Sequence, residues 1–230
     1  MYRGEYREAV KVLLAGVAAD DKASNVSAAA AKQVALADAY TALGRRAAAV
    51  SAARKAAAAG RDESVLFPAA LSLMATGRED EARKIATQLE QALENQPRSY
   101  ARLIDAELAR RQQRTTDAVD AFREAQKRHD SWWSRLLLGR MYVEIGRYAE
   151  ALAELELAVK RRGEGADAFM ADTPTLRYVP AAYYWLGRAQ DGVRAAGAAR
   201  RSYDQFLALR GGSDVSDPLV VDVRKRLAQP

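Results

Sequence analysis

The fold of this chain is decided by the stretch from Ser131 to Lys160, which reads SWWSRLLLGRMYVEIGRYAEALAELELAVK. Large and small apolar residues recur in it at intervals of three and four, the spacing that places side chains on one face of an α-helix. Gly146 interrupts that pattern between its two halves. The stretch therefore predicts two amphipathic helices joined by a short turn.

Weaker copies of this pattern occur on both sides of it, and the turn position locates them. The earlier turns fall at Gly44, Gly77 and Gln113, so that successive turns up to Gly146 are 33, 36 and 33 residues apart. One more copy follows after a longer interval of 48 residues. Helix pairs that recur at this period predict a stack of pairs around one continuous core.

The composition favours an all-α protein. Of the 230 residues 49% are hydrophobic and only six are prolines, and runs rich in alanine, leucine, glutamate and arginine separate the prolines. Clusters of β-branched residues and strict alternation are nearly absent, so the sequence predicts no sheet. We expect about five helix pairs between an unpaired first helix and a C-terminal capping helix, in one repeat domain over residues 1–230.

Both ends of the chain and one insertion depart from the repeat. Residues 4–13 match the second helix of a pair, but no first helix precedes them, so we expect the chain to be a fragment of a longer polypeptide. Residues 161–180 form an irregular insertion, and residues 216–230 predict the cap. The apolar face of the cap comprises Leu219, Val220, Val223 and Leu227.

The recurring pattern is Leu-Gly-x-x-Tyr followed by Gly-x-Tyr-x-x-Ala-x-x-x-Leu-x-x-Ala, and it resembles the tetratricopeptide repeat. The matching positions of the central unit are Leu138, Gly139, Tyr142, Gly146, Tyr148, Ala151, Leu155 and Ala158. In the last pair Gln190 and Arg194 stand where the family has tyrosine and glycine. The resemblance covers nearly the whole chain. It implies a right-handed α-solenoid in which the first helix of each pair lines a concave groove.

The groove that this resemblance implies would combine aromatic, apolar and charged side chains. The residues expected to line it are Tyr100, Leu103, Glu107, Arg110, Trp133, Leu136, Arg140, Tyr184 and Arg188. Such a surface suits an acidic or amphipathic peptide, or a partner helix. We therefore expect a protein–protein interaction scaffold with no catalytic residue, no cofactor and no metal.

Alternatives stay open for several of these side chains. Trp133 and Tyr184 could instead pack against a neighbouring repeat. Adjacent Trp132 and Trp133 cannot both face one core, so one of them is exposed or covers the adjoining loop. Arg140 and Arg188 share a register and could clamp a carboxylate or a phosphate. Their alternative partners lie within the chain, at Glu107, Glu144 and Asp191.

One specific ligand is not expected. Repeat domains that bind the acidic C-termini of chaperones use lysine and asparagine at set positions of their first helices. The residues at those positions here are Val34, Asp38, Phe67 and Leu71.

The order of features gives a second resemblance, and with it an alternative function. A degenerate array, the strong repeat, the insertion and the cap resemble the C-terminal repeat region of certain bacterial multidomain proteins, which often carry a serine/threonine protein kinase domain. No HRD, DFG or glycine-rich phosphate loop occurs in this chain. By this resemblance the chain would be the sensor or regulatory region of such a kinase.

Other classes of protein have weaker support. There is no cysteine, and the single histidine, His129, stands in a polar stretch without evident partners, so we expect no metal site. The net charge of +6 is evenly spread, and the basic runs fall where helices end, so a nucleic-acid binder is the outsider. No apolar stretch reaches the roughly 18 residues of a membrane span. We expect a cytoplasmic location, or an extracytoplasmic one if a transmembrane segment precedes the chain in its parent protein.

Overall fold

A computed structural model describes residues 1–166 and 175–228 of the chain. Within these residues there are twelve α-helices, two short 3-10 helices and no strand. The all-α repeat fold that the sequence predicts is confirmed, with five helix pairs, an additional first helix and a last short helix. Residues 167–174 of the predicted insertion, which include Phe169, Met170 and Pro174, lie outside the described residues.

The described residues form two compact units. The N-terminal unit comprises residues 6–129, and the C-terminal unit comprises residues 130–166 and 175–228 together with the segment Tyr2–Glu5. The single repeat domain over residues 1–230 stays a prediction.

The N-terminal unit contains an unpaired helix followed by three pairs. Its helices are α1 Tyr6–Lys22, α2 Val26–Ala42, α3 Arg46–Ala59, α4 Glu63–Ala75, α5 Glu79–Glu90, α6 Asn95–Arg111 and α7 Thr115–Arg128. Helix α1 packs on α2, and each later pair packs on the next. The first helices α2, α4 and α6 also contact one another in succession, so they form a continuous layer of this unit.

The C-terminal unit contains two pairs and the cap. Its helices are α8 Trp132–Glu144, α9 Tyr148–Lys160, α10 Val179–Gly192, α11 Ala196–Arg210 and α12 Pro218–Leu227, with 3-10 helices at Arg162–Ala166 and Thr175–Tyr178. Helix α10 contacts both α8 and α9, and α12 packs on α11. Val220 and Val223 are buried in one cluster with Tyr184, Tyr203 and Phe206, and Leu219 and Leu227 pack against it. The predicted apolar face of the cap is confirmed.

The turns within the five pairs share one backbone conformation. The residues at the turn are Gly44, Gly77, Gln113, Gly146 and Arg194, with φ values between 59° and 77°. In each turn the following N–H bonds to the carbonyl five residues back, as Arg147 N does to Tyr142 O at 2.8 Å. This is the bond that closes a helix in the Schellman motif. Pairs that lack glycine therefore close in the same way as those that have it.

Small residues create the space that paired helices need. A Cβ atom at Gly139 would lie 2.6 Å from Cγ of Leu155, so α8 can approach α9 only because this position is glycine. Alanine takes the equivalent role in the N-terminal unit, where Ala49, Ala53 and Ala56 of α3 are fully buried. The alanine-rich pairs are therefore packed like the central one, with thinner side chains.

Candidate interaction surface on the first helices

In the N-terminal unit the predicted groove residues all lie on α6, and two of them are buried. The Leu103 and Glu107 side chains are inaccessible to solvent, whereas Tyr100 and Arg110 are half-buried. The ring of Tyr100 packs 5.1 Å from that of Phe67, and Arg110 Nε lies 3.2 Å from Glu107 Oε2. Helix α6 therefore presents one aromatic and one guanidinium side chain to solvent from this set.

In the C-terminal unit the predicted residues lie on α8 and α10, and again the apolar ones are buried. Trp133, Leu136 and Tyr184 are buried, whereas Arg140 and Arg188 are half-buried. The packing alternative for Trp133 and Tyr184 describes their environment in this structure. That these residues contact a partner stays a prediction, and for the buried ones their contribution is to hold the helices in place.

The tandem tryptophans do not divide between core and solvent. Trp132 and Trp133 are each 3% exposed, and their rings stack at 6.1 Å with an angle of 13° between the planes. Trp133 also packs 4.9 Å from the ring of Tyr178, and Trp132 N donates to Glu164 Oε2 at 3.0 Å. The expectation that one tryptophan is exposed is wrong, and its alternative, that one covers the adjoining segment, holds. Both flanks of the insertion thus contact the start of α8.

The two aligned arginines have carboxylates of the chain itself beside them. Arg140 Nε lies 3.6 Å from Glu144 Oε1. Arg188 Nη1 donates to Tyr184 Oη at 2.9 Å and lies 3.8 Å from Asp222 Oδ2. The intramolecular alternative is therefore right for Glu144, whereas Arg188 is close to Asp222 of the cap instead of the predicted Asp191.

Asp191 belongs to a polar network that links α10, α11 and α12. Tyr203 Oη donates to Asp191 Oδ2 at 2.5 Å, and Arg226 binds both Asp191 and Asp222. Burial, and then the bond to Asp191, raise the pKa of the Tyr203 hydroxyl far above its usual range. Burial opposes ionisation of Asp222, but hydrogen bonds from Arg226 and Tyr184 hold the pKa of its carboxyl below the ordinary value.

A cleft of about 570 Å³ lies beside this network. It is lined by Asp191, Ala196, Gly197, Arg200, Tyr203, Arg226 and Leu227. The sequence pattern did not indicate this cleft, because the cap residues that close it lie outside the repeat.

The basic runs are largely neutralised within each unit. Arg111 pairs with Glu79, and Arg128 binds Glu90 and Glu124. Arg161 likewise binds Asp130 and Glu164. Burial opposes ionisation of Glu90, but the Arg128 hydrogen bonds and further arginine charges hold the pKa of its carboxyl below the ordinary value. Paired arginines of this kind do not favour the phosphate-binding stripe that a nucleic-acid binder needs.

Two kinds of feature were sought among residues 1–166 and 175–228 without result. No group of three or more metal-binding side chains is assembled there. No helix in that part of the chain is long and apolar enough to cross a membrane.

Comparison with known families decides the identity of the central unit. The sequence model of the tetratricopeptide repeat family matches residues 134–164, which span most of α8, all of α9 and the start of the insertion. The chain carries a tetratricopeptide repeat. The resemblance drawn from the sequence is thereby confirmed, and the strongest repeat lies where the sequence places it.

Two solved structures share the fold of the whole chain around this tetratricopeptide repeat. BtubC from P. vanneervenii is 16% identical, with 93% of this chain and 94% of that one covered and a TM-score of 0.52. PilF from Pseudomonas aeruginosa is 14% identical, with 96% and 99% covered and a TM-score of 0.52. Identities this low show the fold alone. Comparison with curated protein sequences gives no match, and the resemblance to kinase-linked repeat regions stays a prediction.

Proposed function

We propose that this chain is a non-catalytic protein–protein interaction scaffold that binds an acidic or amphipathic peptide or partner helix through its first helices. A tetratricopeptide repeat fold is that of an interaction scaffold, and the finer part of the proposal concerns the partner. The observation that carries it is the pair Arg140 and Arg188. These arginines occupy the same register on α8 and α10, helices that contact each other.

The chemistry of the guanidinium group explains how these arginines can bind a partner while keeping their own contacts. Each guanidinium has five N–H donors, so one carboxylate from Glu144 or Asp222 leaves donors for a second. Both side chains are partly exposed, at 19% for Arg140 and 27% for Arg188. A carboxylate that bridges two arginines forms charge-assisted hydrogen bonds, which are about twice as strong as neutral ones.

The buried residues around these arginines fix their positions. The Tyr184 hydroxyl donates to Asp222 at 3.0 Å and accepts from Arg188, so it holds both groups on α10. The backbone of α8 is fixed by a capping box in which Ser131 and Ser134 bond each other's backbone. A rigid arginine pair loses little conformational freedom when a partner binds, which favours affinity.

The proposal is tested by selecting ligands from a displayed library of random peptides and measuring their affinity in solution. We expect acidic peptides to be enriched. The double substitution Arg140→Ala and Arg188→Ala should weaken their binding roughly tenfold or more, since each lost charge-assisted bond contributes about 1.5–3 kcal/mol. Fluorescence anisotropy measures the dissociation constants, and circular dichroism checks that helicity is unchanged.

The matched control removes two cations from second helices. Lys160→Ala and Arg201→Ala, on exposed positions of α9 and α11, make the same change in net charge. This control should bind the selected peptides as the native chain does, apart from a small effect of long-range charge. Equal weakening in both double variants, or enrichment of peptides without acidic residues, would contradict the proposal.

A further inference from the structure

The segment Tyr2–Glu5 is part of the C-terminal unit, although it comes first in the chain. Asp214 N donates to the carbonyl oxygen of Gly4 at 3.1 Å, and Arg210 Nε donates to the carbonyl oxygen of Tyr2 at 3.2 Å. The Ser213 hydroxyl lies 3.4 Å from the same Gly4 oxygen. The loop between α11 and α12 therefore binds this segment mainly by its backbone.

Gly4 fits this loop in a way that no other residue can. Its φ is +81°, and a Cβ atom at this position would lie 2.7 Å from Ser213 Cβ and 2.8 Å from Ser213 Cα. Because the second of these atoms is backbone, the clash cannot be relieved by a side-chain rotation. The neighbours Arg3 and Glu5 are exposed, so the loop selects a small residue between two side chains that it leaves in solvent.

Tyr2 provides the side-chain part of the contact. The residue is half-buried, and burial raises the pKa of its hydroxyl. The nearby Tyr183 hydroxyl raises that pKa further, and the Arg162 guanidinium opposes the rise. The aromatic ring therefore lies close to α10 and to the first 3-10 helix, which leaves an aromatic residue, one exposed residue and a glycine as the bound pattern.

The receiving surface is held in place by contacts that do not involve residues 2–5. Arg210 is bound to Asp217 at 3.3 Å, with side-chain exposures of 12% and 10%, and it also donates to the carbonyl oxygen of Arg177 at 3.1 Å. Asp217 in turn caps α12 through a bond from Leu219 N at 2.9 Å. The donor that faces Tyr2 is thus positioned in advance by the fold.

We propose that the loop 210–214, with Arg177 and Tyr183 beside it, is a peptide-docking site that residues 2–5 occupy as an intramolecular ligand. Its partner is a segment of another protein in which an aromatic residue stands two positions before a glycine. The few backbone hydrogen bonds of the contact make it weak, and attachment to the same chain keeps it occupied through an effective concentration on the order of millimolar. A partner that presents the same pattern displaces it. This site includes none of the arginines of the proposed acidic-peptide surface, so the two proposals are independent.

The test uses the full chain and a labelled peptide of residues 1–9, MYRGEYREA. The substitution Gly4→Ala in the chain releases the intramolecular ligand without altering the loop that binds it. We expect the Gly4→Ala chain to bind the native peptide at least about tenfold more tightly than the native chain does, as measured by fluorescence anisotropy. The matched control is Arg3→Ala, which changes an exposed neighbour and should leave the site occupied, with binding as weak as in the native chain.

Variant peptides make the result independent of the folding of the chain variants. A peptide with Gly4→Ala should not bind the Gly4→Ala chain, whereas a peptide with Arg3→Ala should bind it like the native peptide. Two results would overturn the proposal. One is that the Gly4→Ala chain binds the native peptide no better than the Arg3→Ala chain. The other is that it binds the glycine-lacking peptide equally well.

Discussion

The left-handed residues that close the helix pairs show how single positions carry the fold. Gln113 and Arg194 adopt the same positive φ as the glycines at equivalent turns. A residue with a Cβ atom is strained in this conformation by about 1–2 kcal/mol, and glycine is not. Two of the five turns therefore hold a strain that the other three avoid.

This strain predicts opposite effects for two substitutions. Gln113→Gly should raise the free energy of unfolding by about 1 kcal/mol, less a small entropic loss from the more flexible unfolded chain. Gly146→Ala should lower it by about 1 kcal/mol, because no atom lies within 4 Å of the added Cβ and only the strain remains. Urea denaturation measures both. A destabilising Gln113→Gly would show that the side chain of Gln113 contributes more than its conformation costs.

Tyr203 predicts a dependence of stability on alkaline pH. Burial and the bond to Asp191 raise the pKa of the folded hydroxyl above its ordinary value of 10.0, so the unfolded chain loses this proton first. The stabilisation is complete below pH 10 and is lost as the pH rises beyond it. We expect Tyr203→Phe to reduce the fall in unfolding free energy between pH 9 and pH 11, measured by urea denaturation. An unchanged fall would contradict this assignment, whatever the stability of the variant at pH 7.

At the scale of the element, the cap α12 is the part whose packing is easiest to isolate. Val223 is fully buried in its cluster, whereas Val221 on the same helix is 56% exposed. Val223→Ala should destabilise the chain by about 2 kcal/mol through lost apolar burial and the cavity that remains. Val221→Ala is the matched control and should change stability by less than about 0.5 kcal/mol.

Hydrogen exchange shows whether the effect of Val223→Ala is local. In a stack of repeats a terminal element protects its neighbour, so amides of α11 should exchange faster in this variant while those of α9 change less. Uniform acceleration over the whole unit would mean that α12 is part of one cooperative core and not a separate cap.

The elements themselves could be predicted from the sequence because their signals are local. Helical spacing gave the pairs, and the turns at Gln113 and Arg194 could be placed by counting from Gly77 and Gly146. The Schellman bond depends only on neighbouring backbone, so it forms whichever residue is present. The cap was found from its apolar face alone.

The contacts between distant parts of the sequence could not be predicted in the same way. Arg188 approaches Asp222 and not Asp191, because the cap brings a carboxylate from 34 residues further along the chain. The stacking of Trp132 on Trp133 depends on the flanks of the insertion, and the docking of Gly4 on Ser213 joins residues 209 positions apart. Pattern and spacing do not report such pairings. For the groove, they identified the helices better than the side chains that reach solvent.

For the molecule as a whole, charge is the feature that bears on function. The net charge is +6, yet many arginines are already paired with carboxylates in their own unit. Long-range attraction to an anionic partner is therefore modest, and specificity has to come from a few positioned guanidinium groups. Among the predicted groove residues, Arg140 and Arg188 fit this description within one unit.

The central claim is that Arg140 and Arg188 contact an acidic partner peptide, and arginine side-chain NMR tests it most directly. The Nε–Hε signals of both residues, assigned by single substitution to lysine, are followed as a selected acidic peptide is added. The account predicts that both signals shift and saturate with the measured dissociation constant, while the signal of Arg147 at the start of α9 stays in place. Saturable binding with no change at Arg140 and Arg188 would contradict it.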